Sequence, residues 1–277
     1  MKVDILGVKI DSLTSDSALK KIEDFVSSAG QHQIITANPE IVLKAWVDEK
    51  YLNLINRAEL VTADGSGLLW AAKFLSLKSR GLFFSLIQLL VSAAGLILSR
   101  HYCKEVLPER ITGVDLMDKI CELASKKHWK IYLLGAGEGI APKTAQQLKN
   151  KYLNLVVGGA ESGHHQINLA NSQEINLLIH RINSQNPQIL FVAFGAPQQE
   201  IWIKNNLPKL PSVKIAMGVG GAFDYLSKSV KRAPEIYREL NLEWLFRLFN
   251  EPKRLVRIFN ATVKFIFNVI KYKQLMR

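Results

Sequence analysis

Apolar positions along this chain switch repeatedly between two spacings. Short apolar or alternating runs occupy Val3–Ile10, Gln33–Ala37, Glu59–Ala63, Lys130–Leu134, Leu153–Val157, Gln188–Phe194 and Val213–Met217. Runs of that length and pattern predict strands. Between them, three- and four-residue spacing predicts helices around Ser15–Ser28, Pro39–Ala45, Leu68–Phe74, Val114–Lys127, Ala141–Lys151, Gln173–Asn183 and Gln198–Asn206. The stretch from Glu40 to Asn56 reads as two short helices broken near Asp48. Alternation of this kind predicts an α/β fold, with a mainly parallel, doubly wound (Rossmann-like) sheet and helices on both faces. No internal repeat or low-complexity linker interrupts it.

Two segments depart from this rhythm. Gly81–Ser99 carries no charge between Arg80 and Arg100. At about 1.5 Å per residue such a helix would nearly cross a bilayer core. However, Ser85, Gln88, Ser92, Gly95 and Ser99 recur at helical steps and form a narrow polar stripe. The expectation is a helix or hairpin that dips into, or lies on, one leaflet, with a buried core helix as the alternative. The second segment is the C-terminal stretch Leu255–Lys271, where Arg257, Asn260, Lys264, Asn268 and Lys271 share one helical face opposite a wide apolar one. This predicts a basic amphipathic appendage for an anionic membrane surface, against the plainer reading of a helix packed on the domain. The partition that follows is a catalytic domain over 1–245, an apolar insertion at about 75–106, and a membrane-associating appendage over 246–277.

Charge sharpens the second point. The 277 residues carry a net charge of +12, which implies an anionic partner: nucleic acid, membrane or a phosphorylated substrate. Residues 245–277 hold eight Lys or Arg against the single acid Glu251, so seven of those twelve charges sit there. A face so broadly apolar is not a phosphate-tracking groove, so nucleic acid is not expected. Cys103 and Cys121 match neither a disulfide framework nor a zinc spacing. The opening MKVDILGVKI alternates like a strand and does not read as a signal peptide, so a cytoplasmic setting is expected.

The candidate chemistry lies where strands end. The predicted strands run into TANPE (Thr36, Asn38, Pro39), ADGSG (Asp64), GAGEG (Gly135, Ala136, Gly137), GAPQQE (Gly195, Gln199) and GVGGAFD (Gly220, Gly221). Ligands of open α/β sheets bind outside the carboxyl ends of the strands. GAGEG precedes a helix whose first amides suit a diphosphate. It lacks the Gly-Lys-Ser/Thr of a P-loop, and Ile140 stands where a dinucleotide fingerprint needs its third glycine. Glu161 nevertheless keeps a nicotinamide-dependent oxidoreductase open. Asp64 is either a helix cap, with Gly65 and Ser66 competing, or a general base for an acceptor hydroxyl. Thr36 and Asn38 could hold a sugar, although Asn38-Pro39 is also a good helix start. His164 and His165 read as a solvated loop.

Taken together and in order, TANPE, ADGSG, PERITGVDL, IYLLGAGEG, LFVAFGAPQQEIW, MGVGGAFDYL, KRAPEIYRELNLEWLFRL and NEPKR resemble the WecG/TagA/CpsF family of bacterial glycosyltransferases. The likeness runs through residues 1–257, interrupted around 75–106. It implies an inverting, metal-independent transfer, with no cofactor, of N-acetylmannosamine or its uronic acid from a UDP donor. The implied acceptor is N-acetylglucosamine on undecaprenyl diphosphate, and the product feeds teichoic acid or a related surface glycan. It places the base at Asp64, beside Thr36 and Asn38, with Arg110 as an active-site arginine and Gln199 near the sugar. Arg232, Arg238 and Arg247 match arginines that close over the diphosphate at the membrane. The Gly- and Ala-bearing loops would line the substrate. The likeness also implies a peripheral or monotopic enzyme on the cytoplasmic face, and allows for self-association. A UDP-hexose transferase of capsule synthesis and a non-catalytic membrane adaptor remain alternatives. Two departures stand out: the apolar insertion, and GAESGHHQ (Gly159–Gln166) where relatives carry a His-Gly-Tyr-Phe-like stretch.

Overall fold

The computed structural model describes residues 1–78, 81–98, 102–163, 172–239, 246 and 260–275. A two-stranded antiparallel hairpin, β1 (Lys2–Ile5) and β2 (Val8–Asp11), opens the chain. The sequence pattern predicts one strand there. The alternation runs on through a two-residue turn, Leu6 and Gly7, both with positive φ (52° and 85°), so periodicity alone hides the reversal.

After α1 (Ser15–Ser27) the chain builds β3 (His32–Ala37), α2 (Pro39–Val47), α3 (Glu49–Arg57) and β4 (Leu60–Ala63). The expected break at Asp48 is present: its backbone ends α2, and its side chain accepts from the Tyr51 amide at 3.0 Å to start α3. Then come α4 (Ser66–Ser76), α5 (Leu82–Leu98) and α6 (Gly113–Lys127). The second half runs β5 (Lys130–Gly135), α7 (Ile140–Lys151), β6 (Val156–Glu161), α8 (Ser172–Gln185), β7 (Ile189–Ala193), α9 (Gln198–Asn206) and β8 (Ile215–Gly218). Short helices α10 (Ala222–Leu226) and α11 (Glu235–Glu239) follow, and α12 (Phe265–Leu275) is the last element described.

The six strands β3–β8 form one parallel sheet in the order β4-β3-β8-β7-β5-β6. Side chains alternate across it, as a period of two demands. Ile34, Leu60, Ile131, Leu133, Ile189, Phe191, Ile215 and Met217 pack under α1, α6, α7 and α10. Their neighbours point the other way: Ile35 and Val61 pack on α2–α4, and Tyr132, Leu134, Leu190 and Val192 on α8 and α9. Helices therefore cover both faces. At the exposed margin of β4, the hairpin's Asp11 carboxylate accepts the Val61 amide at 2.9 Å, which occupies a donor that an open sheet edge would leave bare. β6 begins three residues later than the sequence pattern suggests. It runs through Gly158 and Gly159, where a Cβ on Gly159 would lie 2.4 Å from the Tyr132 ring.

The first apolar segment forms a helix, as expected, and the second holds a helix packed on the domain. The polar stripe of α5 faces the protein, not the solvent. Ser92 is buried and accepts the Trp70 indole N–H at 2.9 Å, and Gly95 sits against the Tyr102 ring. In α12, Phe265 and Val269 are fully buried in the cluster formed by α2, α4 and the hairpin. Tyr272 donates to Asp4 Oδ1 at 2.7 Å and meets Trp46 edge-on, while the buried Lys273 reaches the Phe74 carbonyl and Gln88 Oε1. The described part of the tail is thus a docked helix. Much of its apolar face serves the core, leaving Val263, Phe267, Leu275, Lys264 and Lys271 outward.

Candidate active site

The connections leaving adjacent strands β3 and β8 depart to opposite faces of the sheet, one into α2–α3 and the other into α10. Such a divergence opens a crevice at the carboxyl edge. Main-chain bonds tie its loops together. The Asp64 amide donates to the Ala37 carbonyl (2.6 Å), Ile111 to Ala63 (2.9 Å), Ala136 to Ala193 (2.9 Å) and Val219 to Val192 (2.9 Å). These bonds join the end of β3 to that of β4, and the ends of β8, β7 and β5 to one another.

Asp64 stands at the centre of one half. It is not the cap of the helix that follows it: that place belongs to Gly65, with no side-chain cap bond. Its Oδ2 instead accepts the amide of Gly113, the first residue of α6, at 3.0 Å. A helix N-terminus presents unpaired amides and a positive dipole end, so it orients and favours a carboxylate. Thr36 converges on the same point. A Cβ added at Gly113 would lie 3.0 Å from Thr36 Oγ1 and 3.6 Å from Asp64 Oδ2. Only glycine lets three elements, β3, β4 and α6, meet this closely. Gly113 lies within PERITGVDL, where no local pattern marks it. Arg110 is half-buried one residue before Ile111, whose amide is held by Ala63, so its backbone adjoins the Asp64 loop. Asn38 caps α2 through Oδ1 to the Ile41 amide at 2.9 Å; its side chain is a helix start.

The same turn of α6 holds Arg232. Thr112 caps the helix and exchanges hydrogen bonds with Asp115, and Arg232 grips Asp115 with two parallel bonds of 2.6 and 2.7 Å. This fork geometry, the one arginine uses for carboxylate and phosphate alike, puts the guanidinium within a helical turn of Asp64's partner amide. Asp115 was not anticipated either; its signal is the capping pattern Thr-x-x-Asp. Arg238 falls in α11, whereas Arg247, His164 and His165 lie outside the described residues.

The other half of the rim is braced from below by Gln199. The residue is 4 % exposed. Oε1 accepts from the amides of Gly195 (3.1 Å) and Gly220 (3.0 Å), while Nε2 donates to Glu200 Oε1 at 2.6 Å. Gln199 thus holds the β7 and β8 loops at a fixed separation. Glu200 is wholly buried and also accepts from the Tyr51 hydroxyl at 3.1 Å. Burial pushes its carboxyl above the ordinary glutamate value, against the pull of these donors and of Lys44. Gly220 has positive φ and open space where a Cβ would be, and Gly221 is the residue that caps α10.

Around GAGEG, Gly135 has a φ of 109°, and a Cβ there would strike the Ala193 carbonyl at 2.8 Å. Ala136 is itself left-handed, and its amide and that of Ile140 are spent on Ala193 and Gly137. With Pro142 lacking an N–H, the donors left to an anion are those of Gly137–Gly139 and Ala141. Glu161 does not wait for a ribose. It is gripped by Arg181 through bonds of 2.8–3.2 Å and accepts the Tyr132 hydroxyl. Burial raises its pKa, but these partners outweigh burial and leave it lowered. Among the described residues no three His, Cys, Asp or Glu side chains gather as a metal site.

A half-buried carboxylate, a guanidinium and glycine loops on one sheet margin suit a group-transfer site, and comparison with known proteins gives the class of transferase. The family model "Glycosyl transferase WecG/TagA/CpsF family" matches residues 3–95 and 88–277. The chain belongs to that family. The two matched stretches meet within α5, the segment that the sequence sets apart. Curated relatives from Staphylococcus aureus strains MRSA252, MW2 and NCTC 8325 / PS 47 are each 32% identical over 277 aligned positions. The alignments cover 99% of this chain and 94% of each relative. All three are named N-acetylglucosaminyldiphosphoundecaprenol N-acetyl-beta-D-mannosaminyltransferase. As a family member the protein is a glycosyltransferase with a Rossmann-like core.

Proposed function

We propose that this enzyme transfers N-acetylmannosamine, or its uronic acid, from a UDP donor to N-acetylglucosamine on undecaprenyl diphosphate. The product enters teichoic acid or a related surface glycan. The relatives' name supplies the acceptor and the sugar class, and the geometry supports a mechanism. The carrying observation is Asp64, oriented by the Gly113 amide beside Thr36. Asp64 takes the proton of the acceptor hydroxyl as its oxygen attacks the anomeric carbon from the face opposite UDP. The C–O bond to UDP breaks, the anomeric centre inverts, and the negative charge passes to the leaving diphosphate. Arg232, held by Asp115 on the same α6 turn, can trade that carboxylate for a phosphate of matching geometry. Arg110, Arg238, Arg247 and the GAGEG amides are the further candidates for neutralising that charge. No step here requires a metal or cofactor. Because the acceptor is lipid-linked, the enzyme works at the membrane surface, on the cytoplasmic side where UDP-sugars are made.

Substitution of Asp64 by Asn tests the assignment. The variant should bind UDP, melt like the wild type and lose at least a hundredfold in turnover with a short-chain lipid-diphosphate acceptor and a panel of UDP-sugars. Turnover within a few-fold of wild type would remove Asp64 from the role of base. The same panel separates N-acetylmannosamine from a capsule-type UDP-hexose. The oxidoreductase reading finds no support at Glu161 or Ile140.

A further inference from the structure

Helix α5 is amphipathic in the wrong sense for water. Its polar positions point inward: Ser92 to Trp70, Gln88 to Lys273, and Gly95 against Tyr102. Its outward face carries Phe84, Ile87, Leu90 and Val91, all exposed, with Leu90 at 71 %. A surface helix in water buries its apolar stripe, and a contiguous exposed apolar patch marks a contact surface. We infer that this outward face of α5 docks into one leaflet of an anionic lipid membrane.

Two observations select lipid over a second copy of the chain. From Phe74 to Cys103 the sequence holds Lys78, Arg80 and Arg100 and no acid. A segment whose charge is all of one sign repels a second copy of itself, whereas anionic headgroups neutralise it. The protein also pins α5 along its length, so the helix is part of the surface and not a spanning rod. At 17 residues it measures roughly 25 Å, and no helix among the described residues is long and apolar enough to cross a membrane. Lying in the plane, it would sink its apolar side chains to the boundary between headgroups and acyl chains, about 5–10 Å deep.

The placement bears on catalysis. α4 starts two residues after Asp64 and leads directly to α5. Its 11 residues span roughly 16 Å, so along the chain one short helix and a five-residue connection separate the site from α5. Given the proposed acceptor, that is a gap for a diphosphate and one sugar to bridge while the polyprenyl tail stays in lipid.

The experiment reads docking without turnover, so its outcome is independent of the proposed reaction. Cys103 and Cys121 are buried and unreactive, burial pushing the Cys103 thiol up to about 11. A cysteine introduced by Ile87→Cys can therefore carry a polarity-sensitive fluorophore selectively. The control is Leu153→Cys, exposed just before β6 at the amino end of the strands. With vesicles of equal phosphatidylglycerol and phosphatidylcholine, the label at 87 should shift to the blue and brighten severalfold, and that at 153 should not change. The full-length Leu90→Glu/Val91→Glu variant should melt like wild type and lose at least tenfold in vesicle partitioning. An unresponsive label at 87 would overturn the inference. So would a wild-type dimer that the double substitution dissociates while vesicle binding stays intact, since a second copy would then be the occupant.

Discussion

Replacement of Gln199 by Ala separates a brace from a substrate contact. The substitution removes the partner of three groups: the half-buried amides of Gly195 and Gly220 and the buried Oε1 of Glu200. A neutral hydrogen bond contributes about 1 kcal/mol net, and one to a charged group about 1.5–3. Water entering the vacated space restores part of this, so the expected loss is about 3 kcal/mol. For a chain of this size each kcal/mol moves Tm by about 2–4 °C, giving a fall of roughly 6–12 °C. Thermal and denaturant melting of the purified protein measures it. Turnover at a temperature where the variant is still folded should also fall, because the β7 and β8 loops lose their fixed separation. Gln199→Glu makes a sharper control. It keeps the acceptor for both glycines but sets one carboxylate against another across the 2.6 Å now spanned by a hydrogen bond. One of the pair must then hold a proton. If Gln199→Ala melts within 2 °C of wild type while turnover collapses, the carboxamide acts on the sugar and the brace is wrong.

Other outcomes follow from the same contacts. Glu200 has a pKa raised by burial; its contribution to stability is present below the ordinary value of 4.5 and is lost as pH rises through the higher folded value. Glu200→Gln should therefore gain in Tm relative to wild type as pH climbs from 4.5, and a difference that is flat or shrinks with pH would refute the shift. Gly113→Ala places a methyl 3.0 Å from Thr36 Oγ1 on ordinary helical backbone. Stability should change by less than about 1 kcal/mol, while kcat falls roughly tenfold from a displacement of a few tenths of an ångström at Asp64. Unchanged kcat would mean that Thr36 and Asp64 need not sit so close.

The fold was largely legible because strand and helix periods differ and most strands of the sheet are short runs dominated by apolar residues. The five strand-end loops were legible for the same reason: glycine and small polar residues follow apolar runs where a ligand must approach the backbone. What escaped was direction. The alternation of Val3–Ile10 is unbroken by its turn, since Leu6 adopts a left-handed backbone that leucine rarely shows. Gln199 and Asn38 were placed in the right loops, but a sequence does not say whether a carboxamide points up to a ligand or down to its own main chain. Gly113 and Asp115 act through contacts 49 and 117 residues away, distances over which local pattern carries no information. α5 was recognised as apolar with a polar stripe. That the stripe faces inward depends on Trp70 and Lys273, which belong to other helices.

The docking of α12 has a consequence for how the molecule is made. Phe265 and Val269 fill a cluster built from α2, α4 and the opening hairpin, and Tyr272 clasps Asp4. The ribosome releases those first elements long before the residues that seal them. Until Phe265 emerges, Trp70, which stacks on Phe74, lacks its other aromatic neighbour. The nascent chain then carries an unfinished apolar cleft next to a helix with an apolar outer face, the condition under which partly made domains aggregate. A lipid surface close to the site of synthesis would shield one of these faces while the other waits for its last turn of helix.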